Sequence, residues 1–305
     1  MILQNLLSKK TLFLFILIFI VVVACSNDTN EKSKESEDSY PVPSTEDLDD
    51  DNPLTEYIKY GEEVIEETNV VLPEKVGNEL SCQSCHADGG TTGTLSLQGV
   101  ASQYPDYRPR EDTAFTLEDR INGCFIRSLN GEMLDEDSKE MRSMISYLTY
   151  ISEGVEIKGE RPWFVETDLE EIPKPDITEG EELYEEKNCL TCHGEDGSGT
   201  GSGEGPALWG DGSFNDGAGM GRLKKAAGFI HKDMPKGEEG TLSEQEAADL
   251  AAFILSQDRP IFKDADKDWP NGDAPSDTIT QERRDQMQKG EFDWLEEIND
   301  IKPRE

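Results

Sequence analysis

The sequence predicts an all-α fold, two tandem copies of one small helical domain with irregular loops between the helices. Three observations predict it. The run Cys82-Gln83-Ser84-Cys85-His86 returns as Cys189-Leu190-Thr191-Cys192-His193. The segment Ile58-Lys59-Tyr60-Gly61-Glu62-Glu63-Val64-Ile65, which precedes the first run, returns as Ile177-Thr178-Glu179-Gly180-Glu181-Glu182-Leu183-Tyr184 before the second. Each copy then closes on apolar residues at helical spacing, over Asp137 to Ser152 and over Ala247 to Leu255. A C-x-x-C-H run is the attachment signature of c-type haem. Its two thiols form thioethers to the porphyrin and its histidine becomes the iron's proximal ligand. The expected architecture is therefore two cytochrome c domains, residues 54–172 and 173–262. A signal with a lipobox (1–24) and an acidic disordered tether (25–53) precede them, and an acidic extension (263–305) follows.

Two motifs use four of the six cysteines and two of the three histidines. Other uses of these residues fail on counting. A zinc site made from both pairs would have to converge across more than a hundred residues, and the adjacent histidines would have no role. A disulfide framework leaves one of the five cysteines other than Cys25 unpaired. Redox-active Cys-x-x-Cys pairs are not normally followed by histidine. The expected cofactors are two covalently bound haem c groups, attached at Cys82 and Cys85 and at Cys189 and Cys192, with His86 and His193 on the irons.

At the N-terminus, Lys9 and Lys10 precede an apolar run, Thr11 to Val23, that is short for a membrane span. It ends Val22-Val23-Ala24-Cys25, which resembles a bacterial lipobox, with Cys25 as the lipidated residue. An uncleaved N-terminal anchor is the other reading. Both place the body outside the cytoplasm and hold it at a membrane. Residues 26–53 carry ten acidic residues against two lysines, the composition of a solvated tether. A formal net charge of −37 disfavours nucleic acid and anionic lipid headgroups as partners. It fits a basic electron-transfer partner, a cytochrome c or a membrane oxidase, or a saline or alkaline habitat.

Helix starts are marked in both copies. Asp137, with Glu140 three residues on, begins the first closing helix, and Ser243 with Glu246 forms a capping box before the second. After each closing helix comes a like pair, Arg161-Pro162 and Arg259-Pro260. The domain boundary falls near Pro173-Lys174-Pro175, and an amphipathic helix is expected around Gln281 to Ile301 in the extension.

The distal ligands differ between copies. Met234-Pro235 lies 41 residues after His193, the usual arrangement for a methionine on the second iron, with His231 and Lys232 as competitors. The first copy has no Met-Pro. It has Cys124, an unpaired thiol in an exported chain. Met133, Met141 and Met144 compete with it, the last two on the apolar face of the closing helix. A thiolate ligand stabilises Fe(III) and lowers the first haem's potential, whereas thioether sulfur favours Fe(II), so electrons are expected to run from the first haem to the second. Between Lys75 and Lys139 the only basic residues are Arg108, Arg110, Arg120 and Arg127, and Arg120 to Gly131 contains no acid. Guanidinium groups fork onto oxyanions, so a site for an anionic substrate is one reading of the cluster. Pairing with haem propionates or nearby carboxylates is the other.

The run Arg120-Ile-Asn-Gly-Cys124-Phe-Ile-Arg-Ser-Leu-Asn-Gly131 resembles the central motif of di-haem thiosulfate dehydrogenases. So do residues 82–91, Tyr104-Pro105-x-Tyr107-Arg108-x-Arg110, Gly205-Pro206-Ala207-Leu208-Trp209-Gly210, and Phe229-Ile230 through Met234-Pro235. The likeness spans about residues 55–275. It implies a di-haem enzyme that couples two thiosulfates into tetrathionate, or runs the reverse as a tetrathionate reductase. It implies Cys124 on the active-site haem and substrate held by Arg110, Arg120 and Ser128. The family's occasional lysine-for-methionine exchange would fall on Lys232. The lipobox, tether and acidity differ from its soluble periplasmic members and suggest a surface lipoprotein of a Gram-positive cell. A pure electron-carrier lipoprotein, or a carrier whose cysteine is loaded by another protein, would lack the reaction.

Overall fold

The structure is a computed structural model that describes residues 41–201 and 205–304. The expected signal, Cys25 and the tether up to residue 40 lie outside the described residues. Among the described residues, seven helices have eight or more residues: α1 (Thr55–Glu66), α2 (Leu117–Arg127), α3 (Lys139–Tyr150), α4 (Ile177–Glu186), α5 (Leu223–Asp233), α6 (Glu244–Ser256) and α7 (Gln281–Gln288). Among the described residues, strands pair in a short antiparallel hairpin, β1 (Asp106–Arg108) with β2 (Thr113–Phe115), and a two-residue parallel ladder, β3 (Ile172–Pro173) with β4 (Ile301–Lys302), beside one isolated bridge between Arg222 and Thr278. The fold is all-α, and no described helix is long and apolar enough to cross a membrane.

Each half is built on one helix crossing. α1 buries Ile58, Gly61, Val64 and Ile65, a three- and four-residue spacing that makes one apolar stripe. α3 answers with Met141, Met144, Tyr147 and Leu148. Fully burying such a side chain is worth about 1.5–3 kcal/mol. The backbones approach so closely that a Cβ on Gly61 would lie 2.0 Å from the Ser143 carbonyl oxygen. The α4–α6 crossing repeats this: a Cβ on Gly180 would lie 2.0 Å from the Asp249 carbonyl oxygen. Only glycine fits either position.

The capping box at Ser243 and Glu246 forms as the sequence indicates. The first closing helix starts one residue later than its pattern suggests. Ser138, not Asp137, is the cap, its hydroxyl accepting from Met141 N at 3.1 Å.

Two segments are more structured than their composition implies. Residues 41–53, the described part of the acidic tether, lie against the first half. Val42 and Leu48 pack on the core, Tyr150 donates to Ser44 O at 2.8 Å, and Thr45 donates to Glu62 at 2.6 Å. Two apolar residues and a few polar contacts thus order a run that reads as solvated. The acidic extension likewise wraps back over the body. Ile279, Met287, Trp294 and Ile298 are buried in the main core, and Arg284 is fully buried. The single helix expected over 281–301 is divided. α7 stops at Gln288, Gly290 takes a left-handed φ of +69°, and a separate turn at Trp294–Glu297 starts from the cap of Asp293.

Candidate functional site

In the first half the chain builds a partly open, largely apolar cavity. His86 and Cys82 line it from the C-x-x-C-H turn, Arg120 and Cys124 from α2, and Leu97, Val100, Met144 and Leu148 from its apolar walls. Thr116 starts α2 with a box, its hydroxyl accepting from Asp119 N while Asp119 accepts from Thr116 N at 2.9 Å. That fixes the helix's rotation. Ile121 and Phe125, buried in the core, border the cavity with their apolar side chains, and Arg120 and Cys124, one turn apart, bring its polar groups.

The residues present fit a covalently attached haem. All five described cysteines are unpaired. Burial raises Cys82 and Cys85 to about 12, so the unattached chain carries thiols there. Burial also lowers His86 to about 4, which keeps the ring neutral. Its Nδ1 lies 2.6 Å from the Leu95 carbonyl, so Nδ1 carries the hydrogen and Nε2 keeps its lone pair for a metal. His193 repeats the arrangement, with Nδ1 2.8 Å from the Pro206 carbonyl and a pKa lowered by burial. No cluster of three or more His, Cys, Asp or Glu side chains gathers as it would on a bare metal ion, among the described residues.

Arg120 and Cys124 come together as the sequence suggests. Arg120 Nη1 donates to Cys124 Sγ at 2.7 Å. Cys124 is the main influence on Arg120 and raises its pKa against the opposing effect of burial, so the guanidinium stays protonated. Tyr104 stands close enough to act on the same guanidinium. A cation fixed beside a sulfur in an apolar cavity can stabilise thiolate and can receive a sulfonate.

Arg110 and Ser128 are placed elsewhere. Arg110 Nε donates to Asp268 Oδ2 at 2.8 Å and its Nη2 to the Gly217 carbonyl at 2.7 Å. Arg127 binds the same carboxylate through Nη2, 2.6 Å from Oδ1, and reaches Glu111 at 3.2 Å. Asp268 belongs to the extension, so these two arginines clamp that segment down. Ser128 caps the end of α2, and its carbonyl accepts from Asn78 at 2.8 Å. Neither Arg110 nor Ser128 lines the cavity. Sequence reading had no signal for Asp268, which meets its partners across 158 and 141 residues.

In the second half, Met234 follows α5 as its C-cap. Lys232 donates to the carbonyls of Glu166 and Thr167, which occupies its amine. His231 meets the Leu242 carbonyl through Nδ1 at 2.7 Å. Asp233, beside Met234, accepts from Thr94 N at 3.2 Å and from the Thr94 hydroxyl. Thr94 precedes Leu95, whose carbonyl holds His86. The two halves also meet at Asn215, whose amide donates to Ile126 O at 2.8 Å and to Asn130 at 3.0 Å.

Comparison with known proteins divides the chain the same way. Residues 73–157 match the SoxA/TsdA cytochrome c domain, and residues 175–254 match the domain of cbb3-type cytochrome c oxidase subunit III. A thiosulfate dehydrogenase of Psychrobacter arcticus is 42% identical over 227 residues, covering 72% of this chain and 68% of that one. One from Allochromatium vinosum is 40% identical, covering 73% of this chain and 84% of its own. Among solved structures, the thiosulfate dehydrogenase TsdBA of Marichromatium purpuratum, in its as-isolated form, superposes with a TM-score of 0.67 at 31% identity. That match covers 72% of this chain and half of the solved one.

Proposed function

The chain belongs to the thiosulfate dehydrogenase family and carries two cytochrome c domains with two covalently bound haem c groups, and on that premise we propose that it oxidises two thiosulfates to tetrathionate at Cys124. The observation that supports this most is the 2.7 Å contact between Arg120 and the Cys124 sulfur inside the cavity that His86 lines.

When bound, the haems supply two one-electron acceptors. His86 and Cys124 would hold the first iron, His193 and Met234 the second. The Cys124 thiolate forms a bond to the sulfane sulfur of one thiosulfate, and two electrons leave. The sulfane sulfur of a second thiosulfate then attacks that of the adduct. The bond to Cys124 breaks, tetrathionate departs and the thiolate is restored. Both substrates are dianions, and Arg120, buried and held protonated, offsets the repulsion between them. The apolar cavity keeps competing water away from the sulfur. Arg110 and Ser128 would reach substrate only if the Asp268 clamp and the end of α2 moved.

Cys124→Ser tests the reaction. In a thiosulfate–ferricyanide assay on haem-loaded protein, turnover falls to background while both haems stay attached. Wild-type turnover in the variant would leave the protein an electron carrier.

Residues 1–24 are read as an export signal and Cys25 as its lipidated end, which places the enzyme outside the cytoplasm on a lipid anchor. The acidic surface suits a basic electron acceptor, a cytochrome c or a membrane oxidase. Cys25→Ala then abolishes labelling by a radioactive lipid precursor, and undiminished labelling excludes the anchor.

A further inference from the structure

Arg259 is 6% exposed, yet two of its N–H groups, Nε and Nη1, have no hydrogen-bond partner. Its bond from Nη2 to the Ile254 carbonyl, at 2.8 Å, brings no negative charge. Burial pushes its pKa down to about 9, and Arg284 adds like-charge repulsion that Asp216 opposes. Asp216 is itself engaged, by Arg284 at 3.2 Å and by Phe262 N at 2.7 Å. A buried guanidinium with open donors and no bonded carboxylate is strongly unfavourable, so Arg259 lacks an anionic partner in the protein chain itself.

Its position suggests which anion. Arg259 lies over the Phe214 ring, 4.3 Å from its centroid, and Gly210 N donates to the preceding Asp258 carbonyl at 2.7 Å. Gly210 lies four residues after Pro206, whose carbonyl holds His193. Arg161 repeats this in the first domain. It too follows the closing helix and precedes proline, and it lies 4.3 Å from the Phe164 centroid. It packs so tightly on Gly99 that a Cβ there would meet Arg161 Cδ at 2.9 Å. Gly99 lies four residues after Leu95, whose carbonyl holds His86. Leu97 and Val100, around that glycine, line the cavity. Arg161 pairs with no carboxylate among the described residues. Burial lowers its pKa, and Tyr104, whose own phenol is pushed up by burial, is the neighbour that opposes this. The repeat has thus set one unpaired arginine beside each proximal-histidine loop.

We propose that Arg161 and Arg259 each bind a propionate carboxylate of the haem in their own domain. Each haem brings its own carboxylates, so attachment of the cofactor would satisfy the open donors. The same contact offsets propionate charge near the iron, favours Fe(II) and raises that haem's potential. The inference rests on the haems alone and is independent of the substrate.

Optical redox titration of the haem-loaded protein tests it. Arg259→Gln lowers the midpoint of the second haem and leaves the first in place, with both haems attached by mass. Arg161→Gln does the reverse. Arg259→Lys and Arg161→Lys, which keep the charge, recover most of the shift. Unchanged midpoints in both glutamine variants overturn the proposal, as does an equal shift of both haems in either, which marks general loosening. If Arg259→Gln yields no folded protein, the substitution at the less buried arginine, Arg161→Gln, decides by the same criteria.

Discussion

In the first domain the sulfur that shares the haem cavity lies inside a helix, with an arginine one turn before it. In the second, the candidate sulfur follows a helix, and the neighbouring lysine is spent on backbone carbonyls. The frames are otherwise alike. Both halves cross an opening and a closing helix at a glycine, with the same 2.0 Å limit on a Cβ, and both anchor the motif histidine through Nδ1 to a carbonyl. The frame is therefore shared, and the halves differ in the segment that carries the candidate distal sulfur. A cysteine rigidly placed on a helix beside a cation suits a sulfur that must be presented repeatedly to anionic partners. A methionine on a connecting segment suits a redox relay.

Exchange of the distal chemistry should break this contrast most severely. Cys124→Met is expected to abolish thiosulfate turnover and raise the first haem's midpoint, because a neutral thioether replaces a thiolate. Met234→Ala alters the second haem's spectrum and slows electron exit, while mass spectrometry still detects a thiosulfate adduct on Cys124. Turnover near wild type in Cys124→Met would show that the distal residue does not separate the domains.

The shared frame gives a matched pair. Gly61→Ala and Gly180→Ala each drive a methyl group into a carbonyl oxygen, and each should lower stability by about 3 kcal/mol, the upper part of the overpacking range. Chemical denaturation of the haem-loaded variants measures both. A loss in one domain and none in the other would mean that the two crossings are not equivalent.

The smallest effect concerns the second domain alone. Glu246, hydrogen-bonded to Lys187 and to Ser243 N, has its pKa lowered to about 2 from the usual 4.5. A depressed carboxylate stabilises the fold fully above pH 4.5 and progressively less as pH falls towards 2. Glu246→Gln should therefore cost stability at neutral pH, and the gap from wild type should narrow as pH drops through that window. The pair is partly exposed, and the cost should be a fraction of the glycine effect. A gap that stays constant with pH would assign it to the lost cap geometry and not to charge.

Much of this was legible in the sequence. Haem attachment, the duplicated crossing and the capping box depend on residues near one another in the chain, so their patterns survive in one dimension. Arg120 and Cys124 were associated through a shared local motif, while the helix that sets them one turn apart was not foreseen. Arg110 could not be placed, because its carboxylate lies in an extension 158 residues away. The tether's end misread for a related reason. A charged composition predicts solvation on average, yet Val42 and Leu48 found a core surface that only the folded domain provides.

The bond between Thr94 and Asp233 joins the segment before Met234 to the loop that holds His86. A displacement of the segment before Met234 would pull on Thr94, the residue next to the carbonyl that meets His86. The Thr94–Asp233 contact is thus a direct polar link between the two halves, set beside the loop that holds the first motif histidine.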